Sequence, residues 1–98
     1  YYNISKTFPK DEQFGLTSQS RRSLVSIPSN IAEGAGRDTD KQFVQFLSIG
    51  IASSFEFETQ LLVAKNLDYI SAETFDLVFN DLRHIQNMLV KLINNYKS

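Results

Sequence analysis

Chemistry in this chain can use no thiolate and only one imidazole, because the sequence holds no cysteine and one histidine. Glu56 and Glu58 are the nearest approach to an acid–base pair. At i, i+2 on a helix they diverge, and no nucleophile accompanies them. His84 follows Asp81 by three residues, which is half of a metal-ligand motif. A carboxylate-bridged di-metal bundle needs two Glu-x-x-His repeats, so neither metal nor other cofactor is expected. The denser polar set is Ser26, Asn30, Glu33, Ser53 and Glu56. On a helix Ser23, Ser26, Asn30, Glu33 and Arg37 form one stripe, and Ser53, Glu56 and Gln60 form another. Two such stripes on facing helices read as a structural hydrogen-bond network that sets register, in preference to a catalytic or binding cluster. Arg21, Arg22, Arg37 and Lys41 are the candidate nucleic-acid contacts, if they gather near the end of their helix. The competing reading is a solvated face on which Glu33 pairs with Arg37 at i, i+4. No enzyme is expected, and no small-molecule substrate suggests itself.

The elements that must position these residues are all helical. Pro9 suits a first helical position, with Asp11 and Glu12 in the first turn. Gly15 weakens that pattern and Thr17 is a candidate N-cap for a restart, giving a first helix over about 9–35 with its main body from about 17. Pro28 lies inside it, removes the bond to the Leu24 carbonyl and predicts a bend, with the Ser26 and Ser29 hydroxyls as compensators. Gly34 and Gly36 offer left-handed positions to end it. Thr39 and Gln42 make a capping box for a helix over about 40–66, which no proline interrupts. Its first half is apolar nearly all round, the mark of a helix that is central or covered by a partner. Ser71 caps a last helix over about 72–97, whose apolar seam runs from Phe75 through Leu82 and Leu89 to Tyr96. Two long helices joined by a short turn pack antiparallel. Three helices cannot cover Phe43, Phe46, Phe55 and Phe79 together, so a further N-terminal helix or a partner segment is expected in a fourth position.

At 98 residues the chain is expected to be one helical-bundle domain, 1–98, with 42% hydrophobic content typical of a globular core. A net charge of −1 gives no general electrostatic pull toward nucleic acid or anionic membranes. No apolar run approaches the roughly 18 residues of a spanning helix, and no signal-peptide pattern opens the chain. A soluble cytoplasmic protein without membrane contact is expected. The excess apolar circumference of the central helix predicts a homo-oligomer.

Phe8-Pro9-Lys10, Leu16-Thr17-Ser18-Gln19, Arg21-Arg22, Ser26-Ile27-Pro28-Ser29-Asn30-Ile31-Ala32-Glu33-Gly34, Phe46-Leu47-Ser48-Ile49 and Glu56-Phe57-Glu58-Thr59-Gln60-Leu61-Leu62 closely resemble one bacterial family. It is the four helix bundle protein family, encoded in intervening sequences of large-subunit rRNA genes and related to the accessory variability determinant of diversity-generating retroelements. The resemblance runs through essentially the whole chain. It implies an all-α, antiparallel up-and-down four-helix bundle whose first helix, before the Phe-Pro, is absent from or truncated in this sequence. Ala52-Ser53-Ser54 departs from the Gly-Ser-Leu run that such proteins tend to carry. The implied role is a non-catalytic oligomeric scaffold or adaptor, with a pentameric ring as the assembly. The alternative is a nucleic-acid-binding accessory factor that works with an RNA or a reverse transcriptase.

Overall fold

The computed structural model describes residues 1–97; Ser98, the last residue of the expected domain, lies outside them. Four α-helices follow in order: α1 (Tyr2–Ser5), α2 (Leu16–Ala35), α3 (Asp40–Asn66) and α4 (Ala72–Lys97), with a 3-10 turn at Lys10–Glu12. The described residues contain no strand.

α3 is the spine. Leu47, Phe57, Leu61 and Ala64 are almost wholly buried along it. α2 crosses one side, where Ser26 meets Ser53 and Gly34 meets Phe43 and Phe46. α4 lies on the other, where Glu58 meets Arg83 and Phe43 meets Tyr96. Partners that descend on one helix as they rise on the other make both pairs antiparallel. The apolar seam of α4 buries Phe75, Leu82, Leu89 and Ile93 against this spine.

The caps explain the boundaries. Thr39 Oγ1 accepts from the Gln42 N–H at 3.2 Å, and Ser71 Oγ accepts from the Thr74 N–H at 3.1 Å. α2 begins differently from expectation. Its N-cap is Gly15, without a side-chain bond, and Thr17 is buried one residue inside the helix. Glu12 Oε1 instead reaches the Leu16 N–H at 3.5 Å from the preceding turn. Neither Gly34 nor Gly36 is left-handed; Gly36, the C-cap, has φ −86°. The left-handed residue is Asp68, with φ 61°, in the turn between α3 and α4. A short acidic side chain tolerates that conformation better than most.

Pro28 sits within an uninterrupted α2. Around it the Ser29 hydroxyl donates to the Val25 carbonyl at 2.8 Å, and Asn30 Nδ2 donates to the Ser26 carbonyl at 2.7 Å. Side-chain donors therefore reach the carbonyls of the turn that the proline ring disturbs.

α2 and α4 each pack along α3 but not along one another. Between them lies an apolar groove of about 780 Å³, with Leu24, Ile27 and Ile31 on one wall and Met88, Leu89 and Leu92 on the other. Phe43, Phe46 and Phe79 are only half-buried and Phe55 is exposed. α1 sits at one end of this groove. The Tyr1 hydroxyl donates to Ser20 Oγ at 2.8 Å, and its ring meets Phe57 edge-on at 4.8 Å. Residues 1–5 thus cover the same face of α2 that lines the open groove farther along.

Candidate functional site

The structure brings together three members of the polar set and leaves two apart. Ser26 and Ser53 share a hydrogen bond of 2.9 Å across the α2–α3 interface. Asn30 Nδ2 donates to both the hydroxyl and the carbonyl of Ser26, at 2.9 and 2.7 Å. Ser53 also donates to the Ile49 carbonyl at 3.0 Å. Around them glycines set the approach, Gly34 against Phe43 and Phe46 and Gly50 against Ile27 and Asn30, and Ser20, Ser23 and Ser54 are further small buried residues of the two helices. Small side chains let the two backbones approach closely, and hydroxyls bonded to their own helix bring no unpaired polar atom with them.

Glu33 and Glu56 do not join this cluster. Glu33 is exposed and forms an ion pair with Arg37, one turn on. Glu56 is exposed and accepts from Gln60 Nε2 at 3.3 Å. For Glu56 the reason is helical arithmetic: three residues from Ser53 fall about 60° short of a full turn, which carries it sideways out of a narrow interface. Glu33 keeps nearly the angle of Ser26, but at its level of α2 the facing residues are Phe43 and Phe46, packed on Gly34, and they offer no polar side chain. Gln60 Oε1 is buried and has no hydrogen-bond partner among the described residues. Asn30→Ala should therefore cost about 1–3 kcal/mol by stranding its partners, whereas Glu33→Ala should stay within about 0.5 kcal/mol. Urea titrations followed by circular dichroism compare the two. Equal losses would restore Glu33 to the network.

The four candidate nucleic-acid contacts do not form one face. Arg21 and Arg22 lie in the second turn of α2, while Arg37 follows its end and Lys41 opens α3. The sixteen residues from Arg21 to Arg37 span about 24 Å of helix axis. Arg37 is engaged with Glu33 and lies 4.8 Å from the Phe46 ring centroid. Arg21 is tied to α1: its Nε donates to Ser5 Oγ at 2.7 Å. Arg22 and Lys41 are exposed.

A second polar cluster has no counterpart among the sequence candidates. Gln86 is almost wholly buried in the seam of α4. It accepts from Arg83 Nη1 at 2.7 Å and donates to Glu58 Oε1 at 3.2 Å, while Arg83 Nη2 donates to the same carboxylate at 3.1 Å. This triad fixes α4 against α3. Its only sequence signal is a glutamine at a seam position otherwise held by Leu82, Leu89 and Ile93. Two tyrosines carry shifted hydroxyls. Burial pushes Tyr1 above its ordinary value, against the opposing effects of Ser20 and Arg21. The bond to Glu12 pushes Tyr69 up likewise. His84 is exposed, and the described residues hold no group of three or more histidine and acidic side chains placed to hold a metal. No described helix is long and apolar enough to cross a membrane.

These features define an all-helical bundle with a serine-rich interface and an open apolar groove. The 23S rRNA-intervening sequence protein family matches residues 1–91, and the chain belongs to that family. Among solved structures it is similar to a protein of unknown function from the S23 ribosomal protein family of Bacteroides thetaiotaomicron. That match has 27% identity and a TM-score of 0.85, covering 93% of this chain and 85% of the other. A comparison with curated proteins gives no significant match.

Proposed function

We propose that the protein is a non-catalytic helical scaffold that works as a homo-oligomer. The observation that carries this reading is the outer face of α3. Phe55 and Leu62, seven residues apart and so on one face, stand there 46% and 45% exposed, although α3 is the spine of the fold. A helix that buries one side as completely as α3 does gains nothing within one subunit from large apolar groups on its other side. Covering them against another copy removes that surface from water, at about 25 cal/mol per Å². A ring of five copies is the assembly that the resemblance implies, and it would lie in the cytoplasm of a bacterium.

The groove between α2 and α4 belongs to the same reading. Its apolar walls fit a fourth helix, supplied by a stretch preceding α1 or by a partner. The position of α1 at one end of the groove, on the same face of α2, supports the first source. The test is mass. Light scattering at micromolar concentration should return a multiple of the 11.2 kDa subunit. Phe55→Glu with Leu62→Glu should reduce it to one subunit with helicity retained. A parent protein of monomer mass would refute the scaffold reading in this form. The accessory-factor alternative loses its original support, because Arg21, Arg22, Arg37 and Lys41 are spread along the bundle.

A further inference from the structure

Between α1, the 3-10 turn and the first turns of α2 lies an open cavity of about 240 Å³. Lys6, Lys10 and Arg21 line it together with Ser5, Gln13 and Thr17, above Phe8 and Pro9. Three lining side chains are cationic and none is acidic, in a chain whose net charge is −1. The two acids of the same turn serve Tyr69 instead. Glu12 accepts from the Tyr69 hydroxyl at 2.9 Å, and the charges of both Glu12 and Asp11 act on that hydroxyl. The ion pairs among the described residues, Arg37–Glu33 and Arg83–Glu58, lie elsewhere. The cavity cations therefore have no carboxylate partner.

Arg21 is held in place by α1. Its Nε donates to Ser5 Oγ at 2.7 Å and its Nη2 to the Tyr2 carbonyl at 3.4 Å. Two of the guanidinium's five donors are used in this way, and the others remain. The same guanidinium lies 3.8 Å from the centroid of the Tyr2 ring, and Lys6 Nζ lies 5.6 Å from it. That ring is 59% exposed, and Phe14, next to Gln13, is 88% exposed. A concave site lined by one sign of charge concentrates the opposite ion. Aromatic surface beside cations is the arrangement that holds single strands, through base stacking next to phosphate contacts.

We propose that this cavity takes a backbone phosphate of a single-stranded polynucleotide, contacted by Lys6, Lys10 and Arg21, with Tyr2 stacking on an adjoining base. The cavity falls below the roughly 300–1,000 Å³ of pockets that enclose a whole small ligand. It suits one phosphate on a chain that continues over the surface. The site lies within one subunit, so it does not depend on self-association.

The experiment is fluorescence anisotropy of a labelled short oligouridylate, titrated with the full chain across a salt series. Binding at low salt should weaken with added salt, at a log–log slope of about −0.7 for the one phosphate neutralised. Lys6→Glu with Lys10→Glu, both exposed and with helicity checked, should lower affinity at least about tenfold and flatten the slope. Tyr2→Ala should weaken binding severalfold and Tyr2→Phe should not, since stacking needs the ring and not the hydroxyl. Arg37→Glu with Lys41→Glu, at the far end of α2, should leave affinity unchanged. Absence of binding at low salt would overturn the proposal. So would an equal loss from the far-end pair, or binding of inorganic phosphate without binding of the oligonucleotide.

Discussion

Phe57→Ala should lose about 3–5 kcal/mol of folding stability, a large part of the roughly 5–15 kcal/mol that holds a domain folded. The ring is 1% exposed at the middle of α3. It is met edge-on by Tyr1 at 4.8 Å, an arrangement worth about 0.5–1.5 kcal/mol beyond burial alone. Removing it leaves a cavity between α3 and α1, and frees Tyr1, whose hydroxyl bonds Ser20. The loss should therefore spread to the attachment of residues 1–5 on α2. Urea unfolding followed by circular dichroism gives the measurement, with the midpoint expected to fall and the slope to hold. Phe55→Ala, two residues away and exposed, is the control and should change the midpoint little at low protein concentration. If Phe57→Ala costs less than about 1 kcal/mol, α3 is not the centre of the core.

The contrast between Phe55 and Phe57 also shows what could be read without coordinates. Both look alike in an apolar stretch, and only the packing of α1 and α2 against one side of α3 tells them apart. The bounds of α3 and α4 were legible because they rest on local chemistry: Thr39 and Ser71 as caps, and long runs without proline. The start of α2 was not. Gly15 holds the cap position with no side chain to advertise it, and Glu12 bonds Leu16 from outside the helix. The polar cluster was legible as far as Ser26, Asn30 and Ser53, whose spacing keeps them in the interface. Glu56 drifts out of that narrow contact, whereas Glu33 keeps the angle of Ser26 but comes at the level where Phe43 and Phe46 pack on Gly34. Lys6 and Lys10 carry no periodic signal, one just after the short α1 and the other opening the 3-10 turn, and only the folding of α1 over α2 gathers them with Arg21.

Gly34 carries the second large effect. It resembles a helix-stop glycine in sequence, yet it lies inside α2 with no left-handed backbone to explain it. Its reason is contact. A Cβ there would come within 2.7 Å of Phe46 Cβ and 2.9 Å of Phe43 Cδ1. The Phe43 ring can swing aside, but Phe46 Cβ is fixed to the α3 backbone, so relief requires the helices to part. Gly34→Ala sets a gain of about 1 kcal/mol in helix propensity against an overpacking cost of about 1–3 kcal/mol. Gly34→Val adds two methyls on a stiff branch, and should lose about 3 kcal/mol. For a chain of this size that is a fall of roughly 12–24 °C in Tm. Gly36→Ala supplies the comparison. There the nearest atom is the Glu33 carbonyl oxygen at 3.7 Å, an ordinary contact, and φ is −86°. That substitution should be neutral or stabilise by up to about 1 kcal/mol through the unfolded chain. Thermal melts of the three variants therefore separate a glycine kept for close approach from one that ends a helix. A Gly34→Val protein that melts with the parent would mean that the α2–α3 contact is looser than the 2.7 Å approach requires.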